Sequence, residues 1–126
     1  MELNGSALRL PDVGGALEPV LLALGHLLLE VAILDVKPGQ QSDFEIAFGK
    51  AQTIIAGMQG YHSHRLERCL ENRDRYLLLV NWETLEDHTR GFRESDEYQQ
   101  WRALLHHFYD PFPTVEHYET VYANEN

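Results

Sequence analysis

Apolar and polar positions along this chain follow two periods, and the switches between them mark out its elements. Leu28 to Val36 reads Leu-Leu-Glu-Val-Ala-Ile-Leu-Asp-Val, largely apolar on both faces, and stops at Lys37-Pro38-Gly39, which predicts a buried strand. Phe44, Phe48, Ala51, Ile55 and Met58 then recur at helical spacing, and Gly57 and Gly60 end that helix. Ser42-Asp43-Phe44-Glu45 has capping-box spacing, so Ser42 is the expected N-cap. Tyr61 to Leu70 reads as a more polar strand, Glu71 to Asp74 as a turn, and Tyr76 to Trp82 as the antiparallel partner. Thr84 and Ser95 are expected to cap two further helices, the second carrying Tyr98, Trp101, Leu105 and Phe108 on one face. Asp110-Pro111-Phe112-Pro113 closes that helix, and Glu116 to Tyr122 supplies a last strand.

The order strand, helix, strand, strand, helix, strand belongs to the α+β class: a ferredoxin-like split βαβ with a four-stranded antiparallel sheet and helices on one face. The strands are apolar on both faces while the helices cover one. A second copy packed sheet to sheet is therefore expected, giving a homodimer.

With 126 residues the chain is sized for one compact domain. Pro11, Gly14, Gly15 and Pro19 set residues 1–27 apart as an N-terminal extension, and residues 28–126 form the domain. Twenty acidic residues against ten basic give a formal charge of −10, which disfavours nucleic acid and anionic membrane surfaces as partners. The apolar stretch from Val20 to Val36 is interrupted by Gly25, His26, Glu30 and Asp35 and is not expected to span a membrane. Glu2 and Asp12, with Arg9 between them, do not make the charge pattern of a secretory signal, so no targeting segment is expected. Cys69 is the single cysteine, expected to be a small buried apolar residue. It excludes an intrachain disulfide and fits a reducing, cytoplasmic setting.

Candidate chemistry gathers after the apolar run Leu77-Leu78-Leu79-Val80, where Asn81-Trp82-Glu83 leads to His88-Thr89-Arg90-Gly91-Phe92-Arg93. Asn81 in a buried strand needs either a structural partner or a polar cavity. His88 titrates near neutrality and is the first candidate for a general base. Asn81 and Trp82 are candidate donors, and Arg93 can hold an enolate or carboxylate; the bland alternative makes His88 and Arg93 surface residues. His62-Ser63-His64 places two imidazoles on one face of a strand, a spacing that binds metal in some barrels but lacks the companion ligands here. Pocket lining or bonding at a dimer seam is the preferred reading. Tyr98, Trp101 and Phe108 can wall an aromatic cavity or simply build core, and Phe92 is a candidate substrate contact beside Arg93. His106-His107, in the last turn of a helix, favours the helix dipole.

In its order and spacing the chain resembles the antibiotic biosynthesis monooxygenase domain family of dimeric α/β-barrel proteins. The resemblance runs from Leu28 to about Val121. It rests on Glu30-Val31-Ala32-Ile33-Leu34-Asp35-Val36-Lys37-Pro38-Gly39, Asn81-Trp82-Glu83-Thr84, Phe92-Arg93-Glu94-Ser95 and His117-Tyr118-Glu119. It implies a sheet-to-sheet dimer with one pocket per subunit and, in characterised relatives, oxygenation of phenols, anthrones or hydroquinones without metal or flavin. The expectation is thus a cofactor-independent monooxygenase acting on a small aromatic substrate, a quinol, anthrone or polycyclic phenol. The alternative is a non-catalytic ligand-binding or stress-related module on the same fold. The haem-degrading branch carries an Asn, a Trp and a His where this chain has Val31, Gly91 or Phe92, and Trp101 or Arg102, which disfavours haem degradation.

Overall fold

The computed structural model of the protein describes residues 27–124; the expected N-terminal extension lies outside them save for Leu27. Strand β1 spans Leu28–Asp35, helix α1 Gln41–Ala56, strand β2 Tyr61–Arg68 and strand β3 Arg75–Trp82. A π-helical turn, Asp87–Phe92, leads to helix α2, Asp96–Leu105. A 3-10 turn, His106–Phe108, then precedes strand β4, Val115–Glu119. The sheet order is β2-β3-β1-β4 with antiparallel neighbours throughout, the ferredoxin-like arrangement expected from the order of elements. Among the described residues no helix is long and apolar enough to cross a membrane.

Strand alternation sorts the sheet into two unlike faces. Ala32 and Leu34 of β1 and Tyr76, Leu78, Val80 and Trp82 of β3 point inward and are buried with Phe44, Phe48, Ala51 and Ile55 of α1. Trp101 and Leu105 of α2 and Phe108 complete this core. Leu29, Val31, Leu77 and Leu79 point the other way and are half-buried, and Ile33 is 44% exposed. Asp35 and Arg75, paired in the β1–β3 register, close that end of the sheet with a 2.8 Å ion pair.

Several local details differ from the sequence expectation. Ser42 is exposed inside the first turn of α1, not at its cap. The helix starts just after Gly39, which adopts φ +82°, and the first turn closes with the Phe44 amide donating to the Gln40 carbonyl at 2.9 Å. Its start is tied down instead by Gln41, whose side-chain amide donates to Asp74. Strand β2 ends at Arg68, two residues early, and the Cys69 amide closes the hairpin by donating to the Arg75 carbonyl at 2.8 Å. Cys69 is half-buried at this turn rather than buried in the core. Strand β4 stops at Glu119, which faces Leu28, the first residue of β1; beyond it β1 offers no ladder partner.

The largest departure follows Thr84. Its hydroxyl accepts from the Asp87 amide at 3.1 Å while the Asp87 carboxylate accepts from the Thr84 hydroxyl at 2.9 Å, so a helix does begin there. The turn then widens, with the Arg93 amide bonding the His88 carbonyl five residues back at 3.0 Å. This wide turn buries both His88 and Phe92.

Candidate functional site

A cavity of about 240 Å³ opens between the sheet and the second helical connection. Its floor is the inner face of β1 and β3 at Glu30, Ala32, Leu34 and Leu78, and its walls include Phe92, Tyr98, Trp101, His106 and Tyr109. Arg93, exposed at the end of the π turn, reaches the same space.

At the deep end sits a buried polar cluster. Glu30 continues the inward series of Ala32 and Leu34 by strand alternation, and is 5% exposed. The Trp82 indole N–H donates to its Oε1 at 2.9 Å, and His88 Nε2 lies 3.4 Å from the same oxygen. His88, 3% exposed, stacks its ring on Trp82 with centroids 5.4 Å apart and planes 21° off parallel. Its Nδ1 is 2.8 Å from Nε2 of His117, which β4 places opposite Glu30 in the ladder. The three groups thus form one line from the cavity floor to the half-buried edge strand.

The low dielectric around this line acts oppositely on its members. Burial lifts the Glu30 carboxyl from 4.5 to about 7, against the pull of the Trp82 hydrogen bond and the Arg93 charge. Burial, with Arg93 and His117 adding to it, pushes His88 down to about 3, so its imidazole is neutral at physiological pH. Burial and then Arg93 lower His117 as well. A carboxyl poised near neutrality beside two neutral imidazoles can exchange a proton with a hydroxyl placed in the cavity.

Of the residues singled out from sequence, His88, Phe92, Arg93, Tyr98 and Trp101 line this cavity, whereas Phe108, the third expected wall residue, packs in the core against Phe44. Trp82 lies behind it with its N–H directed to Glu30, so it holds the carboxyl instead of facing a ligand. Asn81 is separated from the cavity by the sheet itself: one residue along from Trp82, it projects from the outer face and donates to Ser63 Oγ at 3.0 Å. His62 and His64 do not form a pair. A register irregularity between Tyr61 and Ser63 turns His62 to an exposed contact with Glu83 at 2.6 Å. His64 meets Tyr61 at 2.6 Å and Gln52 at 2.9 Å beneath α1. Among the described residues no three His, Cys, Asp or Glu side chains converge as a metal site requires.

His106 also faces the cavity, its ring 5.1 Å from that of Phe112 and 5.9 Å from that of Tyr98; the helix-dipole reading applies only to exposed His107. Glu30, His117 and Tyr109 escaped the sequence reading of the site. For Glu30 the signal was present, a carboxylate in phase with Ala32 and Leu34 on an apolar strand. His117 carried no such mark, since β4 alternates weakly and only the ladder brings it to His88.

The model of the antibiotic biosynthesis monooxygenase family matches residues 28–104. The uncharacterized protein YczJ of Bacillus subtilis (strain 168) is 58% identical over 95 residues, which are 75% of this chain and all of YczJ. A solved Bordetella bronchiseptica structure, provisionally assigned as an antibiotic biosynthesis monooxygenase, is 34% identical with a TM-score of 0.74. The match covers 77% of this chain and 99% of that one. SnoaB from Streptomyces nogalater, a cofactor-independent oxygenase, shares the fold at TM-score 0.61 and 18% identity, over 79% of this chain and 96% of its own. With the family model covering most of the domain and the sheet, helices and cavity arranged as above, the chain belongs to the antibiotic biosynthesis monooxygenase family.

Proposed function

We propose that the protein is a cofactor-independent monooxygenase that inserts one atom of O2 into a quinol or related phenol held in the cavity between sheet and helices. The observation that carries this reading is the line from buried Glu30 and His88 to half-buried His117 at the end of an aromatic-walled cavity: an acid–base group is held where a substrate hydroxyl would lie. An electron-rich phenol, once deprotonated, is itself the reductant for O2. The protein need only exclude water, move the proton and hold the anion. Arg93 supplies positive charge at the cavity for that last task. A volume of about 240 Å³ lies below the roughly 300–1,000 Å³ of pockets for drug-sized ligands, which favours a quinol of one or two rings over larger anthrones. SnoaB, an oxygenase of this kind, adds support at the level of fold.

The same reading makes the working unit a homodimer. The outer sheet face presents Leu29, Val31, Leu77 and Leu79 with exposed Ile33 and Tyr118, an apolar surface suited to a second copy.

The test is oxygen consumption by chelator-treated protein with one- and two-ring hydroquinones and with anthrones, using isotopically labelled O2. One labelled atom in the product and the other in water is the expected result. Arg93→Ala should raise KM about tenfold or more, as loss of a charged hydrogen bond does. Saturable binding without oxygen uptake would replace the oxygenase by the ligand-binding module. Absence of binding across the panel would sink both.

A further inference from the structure

We infer that the proton acceptor for the substrate hydroxyl is Glu30, with His88 acting as a positioning residue that joins Glu30 to His117. This rests on the oxygenase reading above and names the base within that site. His88 would be the first choice from sequence, yet its Nδ1 is paired with His117 at 2.8 Å and its Nε2 stands 3.4 Å from Glu30 Oε1. Each nitrogen thus has a protein group beside it, and the carboxylate next to Nε2 is the stronger competitor for a ligand proton. Glu30 lies on the cavity floor, and the Trp82 N–H and His88 both meet its Oε1, which fixes the carboxyl plane and leaves the other oxygen for a ligand.

The groups facing Glu30 fit this role. From β3 comes the Trp82 N–H, from the π turn His88, from β4 His117, and from the end of the π turn the Arg93 charge; Tyr98, His106 and Tyr109 stand on the remaining wall. Burial brings the Glu30 carboxyl up to about 7, into the neutral range, while it moves both imidazoles down.

In the reaction the phenol O–H breaks and its proton joins Glu30. The phenolate passes one electron to O2, and the resulting radical and superoxide combine in a new bond between ring carbon and oxygen. Glu30 returns its proton to the outer peroxide oxygen. Loss of the ring C–H proton and cleavage of O–O then release water and leave a carbonyl, so quinol and O2 become hydroxyquinone and water. Between turnovers the carboxyl equilibrates with solvent through His88 and His117: a proton passes from Glu30 to His88 Nε2, from His88 Nδ1 to His117 Nε2, and from the far nitrogen of His117 to water.

The experiment is an anaerobic titration of the full chain with 4-nitrophenol at neutral pH. The probe is a one-ring phenol whose anion is coloured, and the infrared difference spectrum is read at the carboxylic-acid carbonyl stretch. Binding should ionise the probe and raise an acid band that is absent from Glu30→Gln, a variant that keeps the acceptor for Trp82. Glu30→Gln should bind the probe with at least tenfold less ionisation on binding and lose about a hundredfold in oxygen uptake. Equal ionisation in the variant, or ionisation without the band, would overturn the assignment and return the base to His88. If 4-nitrophenol binds neither protein, the phenol-oxygenase reading falls and this assignment with it.

Discussion

Helix α1 lays Phe44, Phe48, Ala51 and Ile55 against one half of the sheet, whereas the connection from β3 to β4 breaks into a π turn, helix α2 and a 3-10 turn. Both halves are βα units of the same split plan, yet one is packed solid and the other holds the cavity. In the first, Phe44 alone meets Phe48, Tyr76, Phe108 and Tyr109 with ring centroids 4.9–6.1 Å apart. In the second, the widened turn spends its inward positions on His88 and Phe92, and the sheet beneath contributes Glu30. The irregular half holds the cavity and its polar cluster because a broken helix leaves space and turns polar groups inward, while the regular half supplies the rigidity that a buried polar cluster requires.

If that division is real, damage to the packed half should appear as stability and leave the cavity's chemistry alone. Ile55→Ala removes a side chain that is 1% exposed and should cost about 2–5 kcal/mol in urea denaturation, with 4-nitrophenol affinity of the folded protein unchanged. A matching loss of affinity would show that the halves are not separable.

The irregular half should answer to pH instead. Glu30 has a native pKa of about 7 against an ordinary 4.5, so its contribution is fully present below 4.5 and is lost as pH rises to about 7, on the order of 3 kcal/mol. His88, at about 3 against 6.5, has the opposite sign: its contribution is absent at low pH and grows as pH climbs from 3 to 6.5. Between pH 4.5 and 6.5 the two oppose, and the wild-type curve should be flat there. Glu30→Gln removes the falling arm, so its stability should climb through that window and its advantage over wild type should widen up to about pH 7. Thermal unfolding of both proteins across pH checks this; parallel curves would mean that Glu30 does not titrate as described.

The smallest expected effect lies where the halves touch. Gly60, at φ +84° between α1 and β2, sits so close to Asp87 that a Cβ would overlap its carboxylate. Gly60→Ala should cost about 1–3 kcal/mol of stability and disturb the Thr84–Asp87 cap that starts the π turn. Probe ionisation measured alongside unfolding would show whether that cap also sets His88; unchanged ionisation would free the site from this contact.

The strands and helices were legible because each is written locally. Alternation marks the inward series of β1 and β3, helical spacing marks the buried face of α1, and Ser95 is the N-cap of α2, accepting from the Tyr98 amide at 3.0 Å. Ser42 misled because its spacing is that of a cap while the chain's turn at Gly39 starts the helix two residues earlier. Asn81 took the structural partner of its two readings, Ser63, and the choice was not legible because a strand's apolar run does not say which face looks at a cavity. The outer face carries enough apolar side chains to blur the alternation.

The order of elements, the buried β1 and β3 and the placement of an imidazole after Trp82 were thus determined by sequence, since each depends on neighbours within a few positions. The winding of the turn that holds His88, the bond from Trp82 to Glu30 and the meeting of His88 with His117 were decided only in three dimensions. Those contacts join residues 29 to 52 positions apart through the β1–β3 and β1–β4 ladders, and the protonation of the cluster follows from the burial those ladders create. Local pattern specifies which side of a strand a residue faces; which other strand's residue waits there, and how little water reaches the pair, is set by the register of the assembled sheet.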